Sequence, residues 1–226
     1  MDRCGCDDYP STPFDPNEVR RVRDSYRAGG PDETTQLLLE MIGAEAASGA
    51  TLLDIGGGIG VIDHELLRLG ASRAVLVEAS PAYVDAARDE AAQAGLLERM
   101  EIVAGDFVRR AGEVDEADIV TLDRVVCCYR AADALIPASV AHARKLYGLV
   151  LPRDRWYVRW LIRLDNVRWW LKRSAYRAYA HSNADIDERV GAAGLRPRAE
   201  AFTAFWRVVL YERVGSTNAL EGHAEA

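Results

Sequence analysis

No apolar run in the chain approaches the ~20 residues that a membrane-spanning helix needs. The opening residues, MDRCGCDDYP, lack the apolar core of a signal peptide, so a cytoplasmic location is expected. Cysteine is scarce. The four cysteines fall as Cys4-x-Cys6 and the adjacent pair Cys127-Cys128, and in a reducing compartment they are expected to be thiols. Neither pair has the C-x2-C spacing of a zinc knuckle, so no metal is assigned. The sequence shows no internal repeat, which argues against a solenoid or propeller.

What is present fits one globular domain with appendages. The chain has 226 residues, 49% hydrophobic and 28% charged, which excludes disorder of the whole. Its 28 Lys+Arg against 35 Asp+Glu give −7. That balance hides an asymmetry, because residues 152–177 hold eight basic side chains against Asp154 and Asp165. The segment is therefore +6 and the remainder −13. A remainder so acidic repels phosphate backbones, and nucleic acid is not expected as a partner.

Along the chain, residues 1–16 carry Pro10, Pro13 and Pro16 and read as an irregular arm. Asn17 can cap a helix to about Ala28, Gly29-Gly30-Pro31 breaks it, and Asp32 introduces a second helix with Leu38, Met41 and Ile42 on one face. Residues 1–49 thus form an arm and helical cap. From residue 51, short apolar runs (TLLDI, AVLVE, MEIVAG, ADIVTLD, GLVLP) alternate with helix-length segments, the last of these, AADALIPASVAHARKLY, holding Pro137. Such alternation predicts right-handed βαβ units and a parallel sheet. After an Arg/Trp-rich segment over 152–180, a helix over 185–193 stops at Gly194, and two close strands ending in 205–214 predict an antiparallel hairpin. Residues 50–214 are the main domain, and 215–226 read as a disordered tail.

The stretch Leu53-Asp54-Ile55-Gly56-Gly57-Gly58-Ile59-Gly60 lies between a strand and a helix. Glycines there let a ligand approach the backbone at the switch point of an open α/β sheet. A dinucleotide fingerprint would need glycine at 61, where Val61 stands, and a P-loop would need Gly-Lys-Ser/Thr, which is missing. What remains is acid-x-Gly-x-Gly-x-Gly.

On these residues the chain resembles the class I S-adenosylmethionine-dependent methyltransferases, over about residues 50–214. The resemblance implies a Rossmann-like seven-stranded, mostly parallel sheet with helices on both faces and only the last strand antiparallel. It also implies S-adenosylmethionine as cofactor, held by Asp54, Gly56, Gly58 and Gly60. Glu78, with Ala79 beside it, ends the second strand, where the family binds the ribose hydroxyls. Gly105, Asp106 and Phe107 follow the third, where an acid meets the adenine amino group and an apolar side chain packs on the ring. Tyr26 and Arg27 of the helical cap are expected to cover the crevice.

Methyl transfer is an in-line displacement, so alignment and water exclusion matter most, and a base is needed only for a protonated acceptor. The loop Asp123-Arg124-Val125-Val126-Cys127-Cys128-Tyr129 follows the fourth strand into the crevice. Asp123 and Tyr129 are candidate catalytic groups, with His181 a third whose ordinary pKa suits a base. Asp123 also counts toward the cofactor site, and Arg124, Tyr129 and His181 toward the acceptor site. Cys127 and Cys128 read as packed small side chains, and His64 as structural.

In the basic segment, Trp156, Trp160, Leu164, Val167 and Leu171 make a helical stripe, expected to pack on the sheet. Arg155 and Arg159 are candidates for binding an anionic acceptor. Contact with anionic lipid through 152–177 is a further reading. LDRVVCCY together with this segment most resembles bacterial proteins of the magnesium-protoporphyrin O-methyltransferase-like type, which implies a carboxylated tetrapyrrole as acceptor. The expected activity is methylation, O-methylation favoured, of a small, partly apolar, anionic or phenolic molecule. A non-catalytic protein that only binds the cofactor would need the same cofactor motifs. Monomer and homodimer are both compatible with the sequence.

Overall fold

A computed structural model describes residues 16–173 and 176–215, the side chain of Glu45 excepted. Of the expected arm over 1–16 and tail over 215–226, all but Pro16 and Gly215, with Cys4, Cys6 and His223 among them, lie outside the described residues. Two helices come first, α1 (Pro16–Gly29) and α2 (Glu33–Ala47). Asp32 caps α2, its carboxylate accepting the N–H groups of Thr34 and Thr35. The strands β1 (Thr51–Ile55), β2 (Arg73–Glu78), β3 (Met100–Ala104) and β4 (Ala117–Asp123) then alternate with α3 (Val61–Arg68), α4 (Pro81–Gln93) and the short α5 (Phe107–Arg110). After α6 (Ala132–Ala141) come β5 (Ala143–Pro152), α7 (Trp156–Leu171), α8 (Asn183–Ala192), β6 (Leu195–Phe202) and β7 (Trp206–Arg213).

The seven strands form one sheet in the order β3-β2-β1-β4-β5-β7-β6. β1 to β5 pair parallel, and β7 inserts antiparallel between β5 and β6. The chain order reverses between β1 and β4, so a crevice opens beyond their carboxyl ends. Each face of the sheet carries a core. Leu38, Ile42, Leu66 and Ala87 bring α2, α3 and α4 to one face. Phe107, Leu135, Ile136, Ile186 and Val190 bring α5, α6 and α8 to the other. α1 instead lies over the crevice, where Val19 packs with Ile59 and Tyr83.

Two expectations are corrected. The fourth sheet helix does not run to Tyr147: α6 ends at Ala141, and β5 is ten residues long. Arg144 and Lys145 suit a helix, but they fall at an irregularity within the strand: Ala143 pairs with β4, and from Leu146 the strand pairs with β4 on one side and β7 on the other. Tyr147 is fully buried, its hydroxyl 2.7 Å from that of Ser139. Pro137 sits inside α6 and neither starts nor ends it.

The second correction concerns α7. Its stripe does not pack on the sheet. Trp156 is 81% exposed, Trp160 56% and Leu171 69%, with Leu164 and Val167 exposed beside them. The side turned inward carries the buried Val158 and Ile162. Period alone cannot say which of two apolar faces meets the core, and here the smaller one does. Among the described residues no helix is long and apolar enough to cross a membrane.

Leu38 is fully buried, with its Cδ1 only 2.8 Å from where a Cβ on Gly148 would stand. Leu38→Ala is therefore expected to cost about 2–5 kcal/mol. Trp160→Ala, by contrast, should shift stability by no more than about 0.5 kcal/mol. Urea unfolding of both variants checks this; a large loss for Trp160→Ala would put the stripe back in the core.

Candidate functional site

The turn from β1 into α3 forms the floor of the crevice. Gly56, Gly58 and Gly60 take φ of +68°, +60° and +83°, a region open to glycine and strained for other residues. Gly57, which the motif leaves free, is the most tightly enclosed. A Cβ there would run into Asp54 Oδ2 and Leu76 Cδ1. The loop is thus moulded on Asp54, whose Oδ1 accepts the Thr121 hydroxyl at 2.7 Å.

Asp54 and Asp63 are both fully buried and adjacent. Burial pushes the Asp54 carboxyl up to about 7 and holds Asp63 well above the usual carboxylate range, where the Asp54 charge raises it further. With Asp63 protonated it donates to Asp54; ionised, neither of its oxygens has a partner.

Glu78, at the end of β2, is nearly buried. Its Oε1 accepts Ser80 N–H at 2.7 Å and its Oε2 accepts Gly58 N–H at 3.1 Å. Burial raises its pKa, against the pull of these N–H groups and that of Ala79. Asp106 caps α5 by accepting Arg109 N–H, and its Oδ1 also accepts the Tyr129 hydroxyl at 3.1 Å. Tyr129 therefore braces the acid expected to meet adenine. Phe107 is buried beside it.

Asp123 ends β4 in a second network. Thr35 donates its hydroxyl to Oδ2 at 2.5 Å, and Arg124 Nε stands 2.9 Å from Oδ1. The other end of the Arg124 guanidinium pairs with Asp32 at 2.6 Å, which helps to hold the Asp32 carboxyl below its usual range against the effect of burial. The N-terminal cap is thereby tied to the end of β4. Tyr26 lines the same crevice while its hydroxyl donates to Glu65 (2.7 Å) and accepts from Arg68 (2.9 Å). Arg27 points elsewhere and fastens α1 to Glu90 of α4 at 2.5 Å.

One pocket of about 620 Å³ joins these groups. Its walls include Tyr26, Asp54, Gly56, Gly58, Glu78, Ala79, Gly105, Asp106, Phe107 and Asp123. Arg124, Cys127, Cys128, Tyr129, Tyr176 and Trp206 line it as well. The two cysteines are wall residues, with Cys128 Sγ 3.1 Å from the Tyr176 hydroxyl. Thr35, Gly57, Tyr83 and Tyr176 were not legible as site residues. Gly57 is hidden by the motif's spacing, and the other three arrive from elements whose packing no local pattern encodes.

Three expected acceptor residues are not brought to this pocket. His181 lies behind its wall, Nε2 2.8 Å from the Tyr129 carbonyl and its ring stacked on Tyr179, so it supports the loop and is not placed as a base. Arg155 and Arg159 are exposed on the α7 side, with Arg159 paired to Asp154 at 2.5 Å. Gly60 is at the turn but not in the wall; a Cβ there would meet Met100.

Residues 52–146 match the family model described as a methyltransferase domain. The ribosomal protein L11 methyltransferase of Enterobacter sp. (strain 638) is 31% identical over 123 residues, which cover 54% of this chain and 39% of that protein. Its counterpart in Yersinia pestis is 34% identical over 99 residues, 43% of this chain and 33% of that one. The chain thus spans well under half the length of these curated relatives. Among solved structures, magnesium protoporphyrin IX methyltransferase from Synechocystis PCC 6803, with bound S-adenosylhomocysteine, superposes with a TM-score of 0.71 at 20% identity, covering 92% of this chain and 97% of that one. An O-methyltransferase family 2 protein from Planctomyces limnophilus gives 0.64 at 20% identity, covering 92% and 64%. Residues 52–146 thus carry a methyltransferase domain, and the chain has the fold of the class I S-adenosylmethionine-dependent methyltransferases.

The buried acid pair makes a pH prediction. Asp63 binds a proton in the folded protein that the unfolded chain releases near pH 4, so its contribution to stability is full below that pH and is lost as pH rises through its raised pKa. Asp63→Asn keeps a donor to Asp54 but cannot ionise. It should match the parent near pH 4 and exceed it as pH rises, by about 1–3 kcal/mol at pH 9. Thermal unfolding across that range decides, and parallel profiles would refute the shared proton.

Proposed function

We propose that this protein transfers a methyl group from S-adenosylmethionine to a small, partly apolar acceptor bearing an acidic oxygen, a carboxylate or an acidic phenol. The observation that carries this reading is the pocket that the acids at or just beyond the ends of β1 to β4 line together with aromatic and thiol side chains. S-adenosylmethionine fits the residues present. Glu78 keeps acceptor capacity for a ribose hydroxyl, Asp106 stands where an amino group needs an acceptor, and Gly58 leaves its backbone open to close approach.

The bound cofactor would supply an electrophilic methyl group. The chain's own part is to orient and to exclude water. α1 and α2 roof the crevice, and the Asp32–Arg124–Asp123 network fixes the roof in place. Asp123 has both oxygens engaged and no histidine lines the pocket among the described residues, so no base stands ready. An oxygen that is already anionic needs none, which favours O-methylation of a carboxylate. Tyr129, Tyr176 and Trp206 supply the apolar faces, and Arg21 and Arg124 supply cations in the wall.

Carboxylated tetrapyrroles fall within this class, in keeping with the likeness to the Synechocystis enzyme. The ribosomal-protein methyltransferases share only a minor part of their own length with the chain, so their acceptor does not carry over.

Two measurements test the proposal. Glu78→Gln keeps an oxygen for one loop N–H but removes the charge, and should weaken S-adenosylmethionine by about 1.5–3 kcal/mol in calorimetry. Unchanged affinity would sink the role of Glu78. Formation of S-adenosylhomocysteine should appear with aromatic carboxylates or carboxylated tetrapyrroles and not with ribosomal protein L11; the reverse pattern would overturn the small-molecule reading.

A further inference from the structure

We propose that α7 is a docking element that seats the protein on anionic lipid surfaces. At 100° per residue, Trp156, Trp160, Leu164, Val167 and Leu171 fall within an arc of about 80°, and all five are exposed. Val158 and Ile162, on the opposite side, are buried against the protein. The ridge therefore points away from the fold. Arg159 and Arg163 flank it on one side and Arg168 and Lys172 on the other, all exposed. An apolar ridge between two basic rows is the pattern of a helix lying in the headgroup region, with indole rings inserted and guanidinium groups level with phosphate.

Charge selects the occupant. The +6 of residues 152–177 stands against −13 for the rest of the chain. In a two-fold pair the ridge would meet its own copy, basic rows facing basic rows, with only Asp154 and Asp165 to offset them. An anionic bilayer offers the complementary sign, and the acidic remainder favours holding the other faces away from it. The placement also has a functional sense. At its start α7 is tied to the strand end beside Trp206, through Arg153 N–H to the Phe205 carbonyl (2.9 Å) and the Tyr157 hydroxyl to the Ala204 carbonyl (2.6 Å). Beyond its end, Asn166 and Ala178 exchange hydrogen bonds of 2.7 and 2.8 Å next to Tyr176. Trp206 and Tyr176 both line the pocket, so the ridge is tied to its wall.

The test uses the full chain and vesicles of equal parts phosphatidylcholine and phosphatidylglycerol. The protein should sediment with them at low salt, be released as salt rises, and ignore pure phosphatidylcholine. Its tryptophan emission should shift to the blue on mixing. Trp156→Ala/Trp160→Ala should abolish sedimentation while keeping the parent's thermal unfolding, because both rings are exposed. Arg163→Gln/Arg168→Gln should weaken binding about thirtyfold, roughly fivefold per residue. The proposal is overturned if the parent protein stays in the supernatant at low salt without an emission shift, or if the double tryptophan variant binds as well as the parent. It is equally overturned if the parent ignores vesicles but forms a dimer that the tryptophan variant dissolves, since a second copy would then cover the ridge.

Discussion

Four acidic side chains stand at or just beyond the carboxyl ends of four adjacent parallel strands, and keeping Asp54, Glu78, Asp106 and Asp123 there is the constraint around which the molecule is arranged. A carboxylate taken out of water is costly unless its lone pairs are met. Each is met by a different part of the chain: Asp54 by Thr121 and Asp63, Glu78 by the N–H groups of Gly58 and Ser80, Asp106 by α5 and Tyr129, Asp123 by Thr35 and Arg124. The loop conformations, the roof helices and the acceptor wall all converge on these groups. The result is a crevice whose field favours a cation, and a sulfonium bearing an ammonium group is one.

The same logic accounts for the N-terminal helices, which have no place in the sheet. Arg124 takes φ +60°, an unfavourable conformation for a residue with a Cβ, and from it reaches both Asp123 and Asp32. Local backbone cost is offset by two charge-assisted contacts, and those contacts join α2 to β4. The strain sits where the cap meets the carboxyl end of β4.

Much of this was legible in the sequence. The strand-helix alternation, the glycine turn and the acids Glu78 and Asp106 could be placed because each is fixed by local pattern and order. Legibility failed where tertiary context decides. Arg144 and Lys145 concealed the first half of β5, since the pairing at Ala143 and from Leu146 onward outweighs their preference. The stripe of α7 was read as core, because periodicity reports amphipathicity and not the direction in which it is satisfied. His181 is the residue type of a base, but its Nε2 is taken by a carbonyl that only the folded chain brings near. The need for glycine at 57 comes from Asp54 and Leu76 beneath it, which no motif spacing encodes.

The return from α7 is stitched to the acceptor loop at two points, Tyr179 N–H to the Cys127 carbonyl at 2.7 Å and His181 to the Tyr129 carbonyl. Tyr129 in turn holds Asp106. Surface helix, pocket wall and Asp106 therefore form one mechanical train, in which no link is longer than a hydrogen bond. A displacement of α7 cannot be absorbed by slack along this route; it must either break a link or be felt as a change in the position of Tyr129 and Asp106 in the pocket wall.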